Sequence, residues 1–421
     1  MSSRTRGASV SFRARGHAQI AATHDKTIEI TRSPEITRRA TCVVAVGAEY
    51  DDAELRQLRG DVEVSIECDG VKDRFHATTT PFFLGDDSLV LRRGEPLRER
   101  TFAYDASKTA ADVDRDLVVK LAEATCDVQI TIRSLGSGDT RGALFVVSLP
   151  IGNDDDLSPR ARRVLEAVDV VLVEDTRKLR DLARRTGMEL PGVLVSYHDH
   201  NEASRSADVL DRLRDGARAA LVSDAGTPLF SDPGYVVVRD AIDAGIEVSP
   251  IPGPAALVSV VSVSGLPVDR FTYVGFLSRR AEARRRALQQ LVQQHTTFVV
   301  HEAPHRVGAL LTDLASLAPD WRVCIGREVT KEYEEFTRGT AAALAATVAE
   351  LEPRGEFTMV VAPPEREHEP ADIDDERFDA LLRALLDQGV TTKTLAAALG
   401  SLPGVRHKEA YARVLALTDR T

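Results

Sequence analysis

The sequence has no membrane span: no apolar run in its 421 residues approaches the roughly 20 residues that a bilayer requires. The first fifteen residues are rich in Ser and Arg and lack the apolar stretch of a secretory signal, so a cytoplasmic location is expected. Cysteine is scarce. The four residues Cys42, Cys68, Cys126 and Cys324 lie far apart without metal-ligand spacing, so reduced thiols are expected rather than disulfides, and no metal site. Lysine is scarce too, at 8 of 54 basic residues. Against 65 acidic residues these leave a net charge of −11, which excludes a grip on nucleic acid by general surface charge. Any contact with RNA must use a local basic patch.

The length predicts two or three domains. Residues 1–138 read as a β-rich α+β domain. Its β-branched or alternating runs are Thr27–Thr31, Cys42–Val46, Val62–Cys68 and Val128–Ile132, with a helix expected over Ala111–Ala122. Gly136-Ser137-Gly138-Asp139 has the composition of a flexible linker. From Ala143 the pattern changes to strands alternating with helices, in two sets, 142–255 and 256–365. This predicts an α/β protein of two lobes, with largely parallel sheets and a ligand cleft between the lobes. Ser158-Pro159 predicts the start of a helix running to about Ala167. An acidic, Pro-containing linker follows, and then three short amphipathic segments over 374–421 predict a small helical domain of helix-turn-helix type.

Three loops carry the chemistry, each at the carboxyl end of an expected strand. They are Ser148-Leu149-Pro150-Ile151-Gly152-Asn153, Ser223-Asp224-Ala225-Gly226-Thr227-Pro228 (continuing to Gly234), and Ile251-Pro252-Gly253-Pro254-Ala255-Ala256. Ligands of open α/β sheets bind at that end. Glycine admits close backbone approach and proline stiffens the loop. Any one of these loops is most simply a tight turn; three at successive strand ends point to a backbone-lined pocket.

The three loops resemble the cofactor loops of the tetrapyrrole methylase superfamily. Further motifs make residues 142–362 similar to its ribosomal RNA small-subunit methyltransferase I branch: Glu174-Asp175-Thr176-Arg177, His198-Asp199-His200-Asn201-Glu202, Glu302-Ala303-Pro304-His305-Arg306 and Arg327-Glu328-Val329-Thr330-Lys331. The carboxyl-terminal helices resemble that branch's small end domain. Two departures stand out: Ala303 where many relatives have Ser, and Gly226-Thr227-Pro228 where tetrapyrrole methylases have Gly-Asp-Pro. The second points away from a corrin or porphyrin substrate.

The resemblance implies a two-lobed tetrapyrrole-methylase fold, S-adenosyl-L-methionine as cofactor, a homodimer, and methyl transfer to the 2′-hydroxyl of a cytidine in 16S ribosomal RNA of the small ribosomal subunit. By motif match, Leu149, Pro150, Gly152, Asp224, Gly226, Thr227, Ala255 and Ala256 would line the cofactor pocket. A ribose hydroxyl is a weak nucleophile and needs a proton acceptor; Glu174, Asp175, His198 and Asp199 are the candidates. Arg177 and Arg306 would hold phosphate, and Arg279, Arg280, Arg284, Arg285 and Arg286, the densest basic cluster of the region, would contact the RNA backbone. For each of these residues the plainer reading is structural, as a helix cap, a satisfied histidine or a solvated helix face.

Two alternatives stay open: methylation of a tetrapyrrole or a protein residue, as in other branches, and a non-catalytic RNA-binding module. Residues 11–134 are similar to an uncharacterised, mainly archaeal domain family that brings no activity with it. Because the match to the methyltransferases begins near Gly142, the preceding residues are expected to be dispensable for methyl transfer.

Overall fold

The structure, a computed structural model, describes residues 7–95, 100–138, 140–198, 201–347, 354–364, 375–401 and 406–418. The amino-terminal domain is one mixed sheet of eight strands, and the helix Arg115–Leu121 packs against it. Alternating residues of Ser9–Arg15, Asp61–Cys68 and Asp127–Ser134 point into a common core, which is the period-two pattern of a half-covered sheet. The expected helix starts later than Ala111: Asp114 caps it by accepting the N–H groups of Asp116 and Leu117, and a short 3-10 turn, Ala110–Asp112, precedes it. The expectation of reduced thiols is corrected at one pair. Cys68 and Cys126, at the ends of adjacent antiparallel strands, are joined as a disulfide with Cα atoms 6.4 Å apart.

The first lobe is a five-stranded, wholly parallel sheet in the order Val193–Ser196, Val170–Val173, Arg218–Leu221, Ala143–Val147, Glu247–Ile251. Helices cover it, among them Pro159–Ala167, where Ser158 caps by accepting from Ala161 N–H as expected. The second lobe departs from the expectation of a largely parallel sheet. Phe271–Phe276 and Thr297–Glu302 are parallel, but Phe357–Ala362, Arg322–Arg327 and Glu335–Thr340 join antiparallel. Helices Asp375–Asp387, Thr392–Gly400 and His407–Thr418 bury Leu382, Leu395, Leu399, Ala410, Val414 and Leu417 together as a small bundle.

The amino-terminal domain is not loosely tethered. Phe82 and Leu84 lie in the core of the first lobe with Ala143, Phe145, Val164 and Leu165. Arg218, buried at 2% exposure, donates from Nε to Pro81 O at 2.8 Å, and Arg59 Nε donates to Gly216 O at 3.2 Å. The supposed linker is itself held: Asp61 N–H donates to Ser137 O, and the Ser137 hydroxyl donates to the Asp61 carboxylate. Removal of the first 138 residues would therefore strip apolar cover from the lobe. All these contacts lie at the end of the sheet where the parallel strands begin.

Candidate active site

The opposite end carries the three loops, and Thr227 fastens them together. Its hydroxyl lies 2.8 Å from Ser148 Oγ of the first loop and donates to Pro254 O of the third at 3.0 Å. A two-residue bridge adds to this: Leu149 N–H donates to Gly226 O, and Gly226 N–H donates to Leu149 O. Gly226 has φ +75°, and a Cβ there would stand 3.2 Å from Ile151 Cγ2, so the loop needs glycine both for its conformation and for its closeness to the neighbouring loop. Ala256 opens the helix Ala256–Val263 after Ala255, without a side-chain cap. The arrangement brings all eight sequence-predicted cofactor residues to one end of the first lobe.

Asp224 is the hinge of the site's polarity. Its carboxylate accepts Asp175 N–H at 2.9 Å and Lys178 Nζ at 2.8 Å. On one side lies a cavity of about 240 Å³ lined by Leu149, Pro150, Gly152, Lys178 and Asp224. On the other is a recess of about 490 Å³ lined by Glu174, Asp175, Thr176, Arg177, His198 and Asp224. Three of the four proton-acceptor candidates thus share one recess beside the loops; Asp199 lies outside the described residues. Asn201 fixes His198: its Oδ1 accepts His198 N–H at 2.9 Å, and its amide nitrogen lies 3.1 Å from the ring Nε2. Asp175 caps the helix Thr176–Thr186 and is gripped by Arg177 through both Nε and Nη2. The hydrogen bonds from Arg177 pull its carboxyl down to about 2, which makes it a poor proton acceptor at neutral pH.

The second lobe reaches the loops through Lys331. Its Cγ stands where a Cβ on Gly152 would be, and its ammonium donates to Glu328 at 2.9 Å and Glu356 at 3.1 Å. Glu328 and Thr330 both have positive φ, 48° and 70°. Such strain at a β-branched residue marks a segment that the surrounding structure holds in place. Ile151 completes the junction among Leu257, Val260, Val299 and Val329.

The donor set fits a cationic adenosyl cofactor: close-packed backbone of the first loop and the carboxylates of Asp154, Asp181 and Asp224 line the cavity. The family description Tetrapyrrole (Corrin/Porphyrin) Methylases matches residues 143–345, and a domain of unknown function, DUF371, matches residues 12–135. Ribosomal RNA small subunit methyltransferase I of Xylella fastidiosa (strain Temecula1) is 42% identical over 265 residues, which are 62% of this chain and 96% of that protein. The chain belongs to the ribosomal RNA small subunit methyltransferase I family. A second member, from Micromonospora olivasterospora, is 42% identical over 281 residues, 66% of this chain and 88% of its own. The solved uroporphyrin-III C-methyl transferase from Thermus thermophilus, complexed with S-adenyl homocysteine, is 20% identical at a TM-score of 0.39, covering 52% of this chain and 97% of that one.

Within this family member the basic candidates separate. Arg279, Arg280 and Arg286 are exposed, as is the 85%-exposed side chain of Arg177. Arg284 is not: it is buried against the buried Asp313, with Nε donating at 2.8 Å, and Arg285 Nε donates to the other oxygen of the same carboxylate at 2.6 Å. Arg306 is also committed, to the buried Glu302 and, through Nη2, to Leu277 O at 2.6 Å. Arg284 and Arg306 are therefore corrected from RNA contacts to internal ties, and Arg306 fastens the turn that presents Arg279 and Arg280. Sequence reasoning passed over Ser148, Lys178 and Asn201. Each lies in or beside a motif already singled out, but its role shows only once the loops are brought together.

Proposed function

We infer that this chain transfers the methyl group of S-adenosylmethionine to the 2′-hydroxyl of a cytidine in 16S ribosomal RNA. The observation that carries this reading is the Thr227 clasp, which ties the three loops together beside a cavity lined by the first loop and Asp224, with the recess of Glu174 and His198 on the other side of Asp224. The cofactor supplies an electrophilic methyl group. The chain's part is to hold the ribose in line with it and to take the hydroxyl proton. His198, with its ring oriented by Asn201, and the exposed Glu174 are the proposed acceptors. Arg177, Arg279, Arg280 and Arg286 are the proposed phosphate contacts. The small ribosomal subunit is the proposed form of the substrate, and its presence in the cytoplasm is the proposed location of the enzyme; among the described residues no helix is long and apolar enough to cross a membrane.

A homodimer is the proposed assembly. It is supported by the exposed apolar side chains Tyr235 and Ile242 on a helix of the first lobe and Val258 and Val263 on the first helix of the second, which a second copy would cover.

The test is incubation of the full chain with radiolabelled S-adenosylmethionine and undermethylated small subunits, followed by mapping of the label. Label on a cytidine 2′-oxygen is expected. Label on protein, or none on RNA, would sink the reading.

A further inference from the structure

Beyond the cofactor loops the second loop continues through Leu229-Phe230-Ser231, and here the backbone is strained. Leu229 and Ser231 both have positive φ, 74° and 69°. Two left-handed non-glycine residues flanking one side chain are costly, and such strain is retained where it serves a site. The side chain they present is Phe230, 48% exposed. Its ring meets Tyr273 edge-on at 5.9 Å between centroids, Tyr273 meets His301 at 5.4 Å, and His301 meets Phe276, 56% exposed, at 5.8 Å. The four rings thus form a continuous aromatic surface that crosses from the first lobe to the second.

This surface is built. Ser231 Oγ and the Tyr273 hydroxyl lie 2.7 Å apart, tying the strained loop to the edge strand Phe271–Phe276. That strand shifts register between Tyr273 and Gly275, and such a bulge re-aims the side chains around it. His301 Nδ1 lies 2.8 Å from Thr358 Oγ1 on the next strand, which fixes the ring between its aromatic neighbours. Tyr273 also packs on the apolar junction that holds Ile151 of the first cofactor loop. The exposed Arg279 and Arg280 follow Phe276 within four residues, on the turn that Arg306 fastens.

We propose that the Phe230–Tyr273–His301–Phe276 surface is a stacking ledge for an unpaired nucleobase of the RNA substrate, with Arg279 and Arg280 holding the adjoining phosphates. The proposal rests on the reading of the chain as an RNA methyltransferase and specifies how the substrate is seated. A base flanked by phosphate matches this surface on both counts: its π-face suits exposed rings, and its backbone suits the arginines. A ledge that begins at Phe230, in the loop that carries Asp224 and Thr227, would hold the base while its ribose faces the cofactor cavity.

The experiment uses the full chain and undermethylated small subunits, with wild type, Phe230→Ala, Phe276→Ala and Phe230→Trp compared. Each alanine variant is expected to raise KM for the subunit by about tenfold, in line with the removal of one stacked ring, while the Kd for S-adenosylmethionine is unchanged. Phe230→Trp is expected to keep a low KM. Its emission should be quenched by a single-stranded cytidine-containing oligoribonucleotide, against the background of the buried Trp321, the chain's single native tryptophan. An active wild type with alanine variants at its KM overturns the ledge and leaves the RNA reading standing. A wild type that neither binds nor methylates the RNA overturns both. Sedimentation of the alanine variants as monomers, where wild type is a dimer, overturns the ledge in favour of an interface between copies.

Discussion

Phe82 of the amino-terminal domain stands edge-on to Phe145 of the first methyltransferase lobe, 5.7 Å between ring centroids. The contact lies inside a core that also takes Leu84, so the two domains share apolar cover. Phe82→Ala is expected to cost about 3–5 kcal/mol, the usual range for emptying an aromatic site. A chain beginning at residue 139 is expected to melt at lower temperature and to bind an apolar dye. An unaltered denaturant midpoint in Phe82→Ala would show that the shared core carries no stability.

Gly226→Val is expected to weaken cofactor binding by about tenfold or more. The valine must adopt φ +75° and place a branched side chain against Ile151, a strain of about 1–3 kcal/mol. Calorimetry on folded wild type and variant measures this; equal Kd values would mean that the loop bridge is not part of the cofactor pocket.

The arginine cluster should divide under mutation. Arg284→Ala leaves Asp313 buried with only the exposed Arg285 as a charged partner, and a loss of about 3–5 kcal/mol in folding stability is expected. Arg279→Glu, Arg280→Glu and Arg286→Glu together should leave the melting temperature nearly unchanged. They should flatten the dependence of log RNA affinity on log salt by about 0.7 for each phosphate that is no longer neutralised. The contrast is read from denaturation and from RNA titrations at several salt concentrations. A salt slope equal to wild type in the triple variant would assign these arginines to a solvated face.

Much of this was legible in the residues, and the misses have physical causes. That three constrained loops stand at the strand ends was readable because glycine and proline announce backbone constraint locally. Arg284 was readable in principle: it lies four residues before Leu288 and seven before Leu291, on the buried stripe of the helix Ala281–Gln293, where arginine must find an internal carboxylate. Strand direction in the second lobe was not readable, because hydrophobic alternation is the same for parallel and antiparallel neighbours. Nor was the seat of Phe82, whose apolar run says that it is buried but not in which core. The aromatic ledge is spread over residues 230 to 301, and only the fold assembles it.

Acid should loosen the junction between the lobes. Burial raises the Glu328 carboxyl, but the hydrogen bonds from Lys331 and from Glu356 N–H outweigh it and leave the group below its ordinary value. A carboxyl lowered by folding contributes stability above its unfolded value, near 4.5, and loses it as the pH falls through the folded value. Wild type should therefore lose more stability than Glu328→Gln between pH 6 and pH 3, as read from denaturant midpoints across that range. Parallel curves for the two proteins would show that the Glu328–Lys331 contact does not contribute.

The seating of the amino-terminal domain has a geometric consequence. It grips the first lobe where the parallel strands begin, while the methyl donor is proposed to sit where they end. Five residues of strand at about 3.3 Å each separate the two ends by about 16 Å. With Phe82 buried in the lobe and Arg218 bound to Pro81 O, that interval has no joint in it. The eight-stranded sheet and the proposed catalytic recess would thus act as the two jaws of a fixed caliper, with whatever the outer jaw touches set at a constant span from the proposed site of methyl transfer.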